Sequence, residues 1–144
     1  MVVRLQIAFD CKDPVKLSDF YAKALRYKRE DAPPGFATIE EWLQARGVPV
    51  AEWDDGRAII DPQGVWPRIW FHKMPTPKPS KNRIHLDIYV GLPPRATLAE
   101  RKALVDPEVR RMLALGAKIS EAVEDGDYYF VTCLDPEGNE FDVA

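Results

Sequence analysis

The sequence predicts an α+β domain made of two copies of one strand–helix–three-strand unit, and three observations carry that expectation. Near the start, Leu5, Ile7 and Phe9 alternate with Gln6, Ala8 and Asp10. Past the midpoint, Ile84, Leu86, Ile88 and Val90 alternate with His85, Asp87 and Tyr89. Period-two alternation of this kind marks a strand with one apolar face. Asp13-Pro14 and Asp106-Pro107 each set a capping carboxylate before a proline suited to the first helical position. Finally, the turn Asp61-Pro62-Gln63-Gly64 recurs as Asp135-Pro136-Glu137-Gly138. One such match is common; with the helix ends Ala24-Leu25-Arg26-Tyr27-Lys28 and Ala114-Leu115-Gly116-Ala117-Lys118, the helix starts and the turns make three in the same order and point to a duplicated βαβββ unit.

The elements follow in order. After the strand at Leu5–Phe9, Leu17, Phe20, Tyr21, Ala24 and Leu25 recur at helical spacing and predict a helix over Pro14–Leu25. Tyr27 to Asp31 reads as a short strand, which Pro33-Pro34-Gly35 ends. Ile39 to Arg46 reads as a small inserted helix closed by Gly47 and Pro49. Strands at Arg57–Ile60 and Arg68–His72 flank the first Asp-Pro-x-Gly turn. The proline-rich segment Met74–Ser80 then separates the halves, giving a single domain over 1–144 with modules at about 1–75 and 81–144. In the second module the strand through Ile84–Val90 is broken at Pro93-Pro94, and Thr97–Leu104 forms a short helical piece. A separate helix starts at Asp106-Pro107 and ends at Gly116, followed by strands at Lys118–Ala122, Tyr128–Leu134 and Asn139–Val143.

Composition narrows the function. The chain has 144 residues, 30% of them charged, and a formal net charge of −3, with its twenty Lys and Arg residues scattered. That excludes a general nucleic-acid binder. No run approaches the ~18 apolar residues needed to cross a bilayer, and the N-terminal MVVRLQIAF lacks a signal-peptide cleavage pattern, so no membrane association and a cytoplasmic location are expected. Cys11 and Cys133 sit in apolar, strand-like sequence without metal-binding spacing and read as buried, reduced thiols. Thirteen prolines against eight glycines suit short elements separated by stiff turns.

Strand parity sorts the side chains into two faces. Ile7, Phe9, Leu86 and Ile88 would pack under the helices. The opposite face takes Gln6, Ala8 and Asp10 from the first strand, Arg68, Trp70 and His72 from the fourth, His85, Asp87 and Tyr89 from the fifth, and Glu140 and Asp142 from the last. A one-residue slip would invert this assignment.

Asp10-Cys11-Lys12-Asp13-Pro14, Asn82-Arg83-Ile84-His85-Leu86-Asp87, Leu113-Ala114-Leu115-Gly116-Ala117 and Asp135-Pro136-Glu137-Gly138-Asn139-Glu140-Phe141 resemble the vicinal oxygen chelate superfamily, in its glyoxalase-like domain branch. That superfamily includes glyoxalase I, the extradiol dioxygenases and the bleomycin and fosfomycin resistance proteins. The resemblance spans nearly the whole chain. It implies a curved mixed sheet around a cavity, a small-molecule ligand or substrate, and a homodimer. It also implies metal-ligand positions on the first and last strand of each module, which fall on Gln6, on Arg68 or Trp70, on His85 and on Asp142. His85 and Asp142 suit a divalent ion and Gln6 is a permitted donor, but the remaining position offers no ligand. The expectation is therefore a cavity without a cofactor, with a divalent metal at His85, Asp142 and Gln6 as the alternative.

Without a metal the same residues support proton chemistry. Histidine changes charge near neutral pH, and an adjacent carboxylate fixes its tautomer. His85, with Asp87, Asp142 or Glu140, is the candidate general base, so His85, Asp142 and Glu140 are the expected catalytic residues. Gln6, Asp10, Arg68, Trp70, His72, Asp87 and Tyr89 are expected to bind the ligand. The leading expectation is a small-molecule-binding protein, with catalysis left open and His85 as the general base if it is an enzyme. Two alternatives remain: a metal-free protein that sequesters a drug or metabolite, and a metal-dependent lyase, isomerase or dioxygenase.

Overall fold

Asp13 accepts the Lys16 amide at 3.0 Å and Pro14 opens α1 (Pro14–Leu25), as the Asp-Pro pair predicts. The computed structural model describes residues 5–91 and 95–144, so the break expected at Pro93-Pro94 lies outside the described residues. The chain divides into two units, Met1–Pro77 and Lys78–Ala144. The first contains β1 (Gln6–Cys11), α1, β2 (Lys28–Arg29), α2 (Ile39–Ala45), β3 (Gly56–Ile60) and β4 (Arg68–Lys73). The second contains β5 (Leu86–Ile88), α3 (Leu98–Ala114), β6 (Lys118–Asp125), β7 (Tyr128–Leu134) and β8 (Glu140–Val143).

Each unit holds one four-stranded mixed sheet, ordered β1-β4-β3-β2 in the first and β5-β8-β7-β6 in the second. In both, the unit's first strand lies parallel to its last, and the other neighbours are antiparallel. The repeated topology is that of a duplicated βαβββ unit. The helices cover the apolar faces that parity assigns. In the first unit Leu17, Phe20, Tyr21 and Ala24 of α1 are buried with Ile59, Ile69 and Phe71 of the sheet. Phe9, Tyr21 and Phe71 form an aromatic cluster with ring centroids 4.9–5.8 Å apart. In the second unit Val105, Val109 and Met112 of α3 are buried with Val131, Cys133, Phe141 and Val143.

The two Asp-Pro-x-Gly turns are built alike. Asp61 accepts the amides of Gln63, Val65 and Trp66, and Asp135 those of Glu137 and Asn139. Gly64 and Gly138 close them at φ 69° and 86°, which a side chain would strain.

Three expectations need correction. The strand expected at Tyr27–Asp31 is confined to Lys28–Arg29. β5 starts at Leu86 and ends at Ile88, so His85 and Tyr89 flank it rather than lying within it. The helical piece and separate Asp106-Pro107 helix are one helix, α3. Thr97 and Glu100 form a reciprocal capping box that starts it earlier. Pro107 is tolerated within it because both Pro107 and Ala103, whose carbonyl loses its partner, are exposed to water. Asp106, freed from capping, accepts the Tyr129 hydroxyl at 2.7 Å.

Cys11 and Cys133 are buried free thiols, as expected, and burial with the nearby Asp142 charge pushes Cys133 up to about 11. Tyr129 is pushed up to about 12 by burial, by its bond to Asp106 and by the charges of Asp106 and Glu124. A raised folded-state value stabilises the fold fully below the ordinary tyrosine range near pH 10 and is lost as pH climbs through about 12. Tyr129→Phe is therefore expected to lower stability at neutral pH by on the order of 1 kcal/mol and to blunt the alkaline loss, measured by urea unfolding across that range.

Candidate functional site

In the second unit strand register fixes the site. Asp87 on β5 lies opposite Asp142 on β8, and Asp142 lies opposite Thr132 on β7. These side chains share the sheet face away from the buried Phe141 and Val143. His85, one residue before β5, has the same parity as Asp87. Its Nε2 stands 3.0 Å from Asp87 Oδ1 and 3.4 Å from Asp142 Oδ2. Thr132 Oγ1 donates to Asp142 Oδ1 at 2.7 Å, which leaves the other oxygen for His85. The His85 and Asp87 side chains are each 42% exposed and Asp142 17%, so the imidazole is reachable from solvent while Asp142 is held.

Beside this cluster lies a cavity of about 260 Å³, lined by Asp87, Asp142, Tyr89, Arg101, Tyr128 and Phe130 among others. The Arg101 guanidinium lies 5.4 Å from the Tyr128 ring centroid. Thr132, Arg101, Tyr128 and Phe130 were not expected from the sequence. Thr132, Tyr128 and Phe130 share one face of β7 by parity, a signal that could have found them. Arg101 had none, because its position depends on where α3 starts.

Glu140, expected to be catalytic, is committed elsewhere. Its carboxylate receives the Asn82 amide at 3.1 Å and lies 3.3 Å from Lys78 Nζ. Burial acts to raise its pKa, but the Asn82 amide, its own amide and Lys78 outweigh this and hold the carboxyl below its usual range. The structure gives Glu140 the work of tying down the start of the unit.

In the first unit the parallel register pairs Gln6 with Arg68, Ala8 with Trp70 and Asp10 with His72. Arg68 donates from Nε and Nη2 to the two oxygens of Glu30 at 2.7 and 2.6 Å, and from Nη1 to Gln6 Oε1 at 2.5 Å. Its guanidinium stacks 5.2 Å from the Trp70 ring centroid. Glu30, at the exit of β2, was not anticipated. His72 Nδ1 lies 3.5 Å from Asp10 Oδ1, and both side chains are more than half exposed.

A divalent ion with bonds of about 2.1 Å holds cis ligands about 3 Å apart. His85 Nε2, one oxygen of Asp87 and one of Asp142 lie within 4.8 Å of one another, with two of the spacings at 3.0 and 3.4 Å. This donor set fits such an ion, and Thr132 orients one ligand as an outer hydrogen-bond partner does in metal sites. Asp87 completes the set here, a role the sequence reading did not give it. The Gln6 oxygen faces the Arg68 guanidinium, a poor setting for a cation's donor.

Two sheets of this topology define the glyoxalase/bleomycin resistance/dioxygenase fold. A protein described as an enzyme of that family from Burkholderia phytofirmans PsJN is similar, with 18% identity, a TM-score of 0.62 and coverage of 96% of this chain and 94% of its own. So is a fosfomycin resistance protein from Listeria monocytogenes, in a mutant form complexed with Mn(II) and 1S,2S-dihydroxypropylphosphonic acid (13% identity, TM-score 0.61, 99% and 90% covered). A possible glyoxalase from Bacillus cereus matches at 12% identity and a TM-score of 0.60, with 99% and 98% covered. No curated protein matches by sequence. Residues 6–144 match the family model of the glyoxalase-like domain, and the chain belongs to that family. Among the described residues no helix is long and apolar enough to cross a membrane.

The Arg68–Glu30–Gln6 clamp gives a direct test. The Arg68 and Glu30 side chains are about one-third exposed, so Arg68→Met is expected to cost only about 1 kcal/mol in urea unfolding. Arg68→Lys should recover little of it, because an ammonium cannot bridge both Glu30 oxygens.

Proposed function

We propose that the chain binds a small molecule on the open face of the second unit and removes a proton from it with His85. The observation that supports this reading is the seating of one imidazole nitrogen, Nε2, beside two carboxylates. With its proton on Nε2, held toward Asp87 and Asp142, the ring carries its lone pair on Nδ1, and that atom is the base. The adjoining cavity, with Tyr89, Tyr128 and Phe130 in its walls, offers an apolar surface for the ligand. Fosfomycin resistance proteins and glyoxalases among the similar structures belong to small-molecule chemistry, which agrees with this reading.

A second reading is favoured by the donor spacing. His85, Asp87 and Asp142 would hold a divalent ion, which when bound supplies a Lewis acid for an oxygen of the substrate. Sequestration without turnover is the remaining alternative.

Solvent-deuterium exchange into a panel of small carbonyl compounds, followed by NMR, tests the base directly. His85→Ala is expected to slow exchange by roughly 10²–10⁴-fold while ligand binding persists. Equal exchange by wild type and variant would rule His85 out as base. Calorimetric titration with Mn²⁺, Ni²⁺ and Zn²⁺ tests the metal reading: stoichiometric binding lost in Asp87→Asn and Asp142→Asn supports it, and no binding to the wild type removes it.

A further inference from the structure

The segment leading into β5 reverses the charge of the chain around it. The protein has a formal net charge of −3, yet a cavity of about 490 Å³ is lined by Ser80, Lys81, Asn82, Arg83 and His85, with two cations and no carboxylate. That volume is within the range of small-molecule sites. Among the described residues Lys81 and Arg83 have no acidic partner, whereas Lys78, a few residues earlier, is taken by Glu140. The carboxylates of this region are engaged elsewhere. Glu140 holds Lys78 and the Asn82 amide, and Asp87 and Asp142 face His85 Nε2.

The segment is anchored as well as charged. The Asn82 amide donates to Glu140 Oε2 at 3.1 Å and its side chain to Asn139 Oδ1 at 3.4 Å, so the two cations flank a residue tied to the start of β8. His85 then joins this cavity to the carboxylate pair. Asp87 and Asp142 line the aromatic cavity described above, but the imidazole itself lines this one. With Nε2 turned to the two carboxylates, Nδ1 is the ring nitrogen left for an occupant.

We infer that the substrate of the His85 base is an anion, a small carbonyl compound whose carboxylate or phosphate is held by Lys81 and Arg83. Two unpaired cations lining one cavity repel each other, and an anionic group relieves that repulsion. The guanidinium offers such a group a pair of parallel N–H donors and the ammonium a compact charge. A local cationic patch also draws an anion to a chain whose net charge would otherwise repel it. This deepens the proton-transfer reading and rests on it for the reaction. There His85 Nδ1 takes a proton from the carbon beside the carbonyl, the C–H electron pair passes to the carbonyl oxygen as an enolate, and return of a solvent deuteron restores the ketone.

Two matched pairs test the anion: levulinate against its uncharged methyl ester, and dihydroxyacetone phosphate against dihydroxyacetone. Ligand-detected NMR at constant ionic strength, in a buffer free of phosphate and carboxylate, reads binding, and deuterium incorporation reads the reaction. At least one anion is expected to bind about tenfold more tightly than its uncharged partner, as hydrogen bonds to charged donors allow, and the pair that shows the preference tells carboxylate from phosphate. Lys81→Gln with Arg83→Gln should abolish that preference while leaving binding of the uncharged partner in place. Lys118→Gln, which removes an exposed charge that does not line the cavity, should leave the preference intact. Equal binding within both pairs would overturn the inference. So would a preference that survives in the double variant, or one lost equally in Lys118→Gln. Binding and exchange fail separately: anion preference without His85-dependent exchange removes the base and keeps the anion site, and exchange without anion preference does the reverse.

Discussion

Parallel pairing between the first and last strand of each unit decides which side chains share a face. β1 lies on β4 and β5 on β8. A parallel pair cannot be joined by a tight turn, so the chain between the two strands must travel away and return, carrying a helix with it. α1 and α3 take the apolar side. What remains open is the polar side, and the register sets its rows: Gln6 with Arg68, Asp10 with His72, Asp87 with Asp142. A slip of one residue would bury every one of these groups and expose the aromatic cluster instead.

The two copies have diverged at matching places. In the first unit the last strand carries a cation and an indole, Arg68 and Trp70. In the second it carries two carboxylates, Glu140 and Asp142. The cation is saturated by Glu30 and Gln6, so that face becomes a paired, aromatic surface. Glu140 is likewise saturated, by Asn82 and Lys78. Asp142 takes Thr132 on one oxygen and faces His85 Nε2 with the other.

Much of this was legible in the sequence, because period-two alternation and the repeated Asp-Pro signals report local backbone preferences directly. Parity along β1, β4 and β8 placed Gln6, Arg68, Trp70 and Asp142 on their faces, and it paired His85 with Asp87. The failures have a common cause in competition between local signals and longer-range ones. Asp106-Pro107 is a sound helix start in isolation, but the Thr97–Glu100 box begins the helix earlier and Asp106 finds Tyr129 instead. Glu140 has the chemistry of a catalytic acid, and only tertiary contact with Lys78 and Asn82 shows its other task. Glu30 and Arg101 were invisible because a short edge strand and a shifted helix place them.

The charge balance at His85 makes its two possible roles mutually exclusive. Asp87 and Asp142 face each other in register, and like charges opposed on neighbouring strands repel. A hydrogen-bond donor or a cation between them offsets that repulsion, and Nε2 is the atom placed to bring it, either through its N–H or by ligating a divalent ion. A neutral imidazole with its proton on Nε2 presents the Nδ1 lone pair and can act as a base. One whose Nε2 lone pair is given to a metal keeps its proton on Nδ1 and cannot. Metal and proton therefore compete for a single nitrogen. Whichever occupies it also determines whether the ring is a base or a ligand.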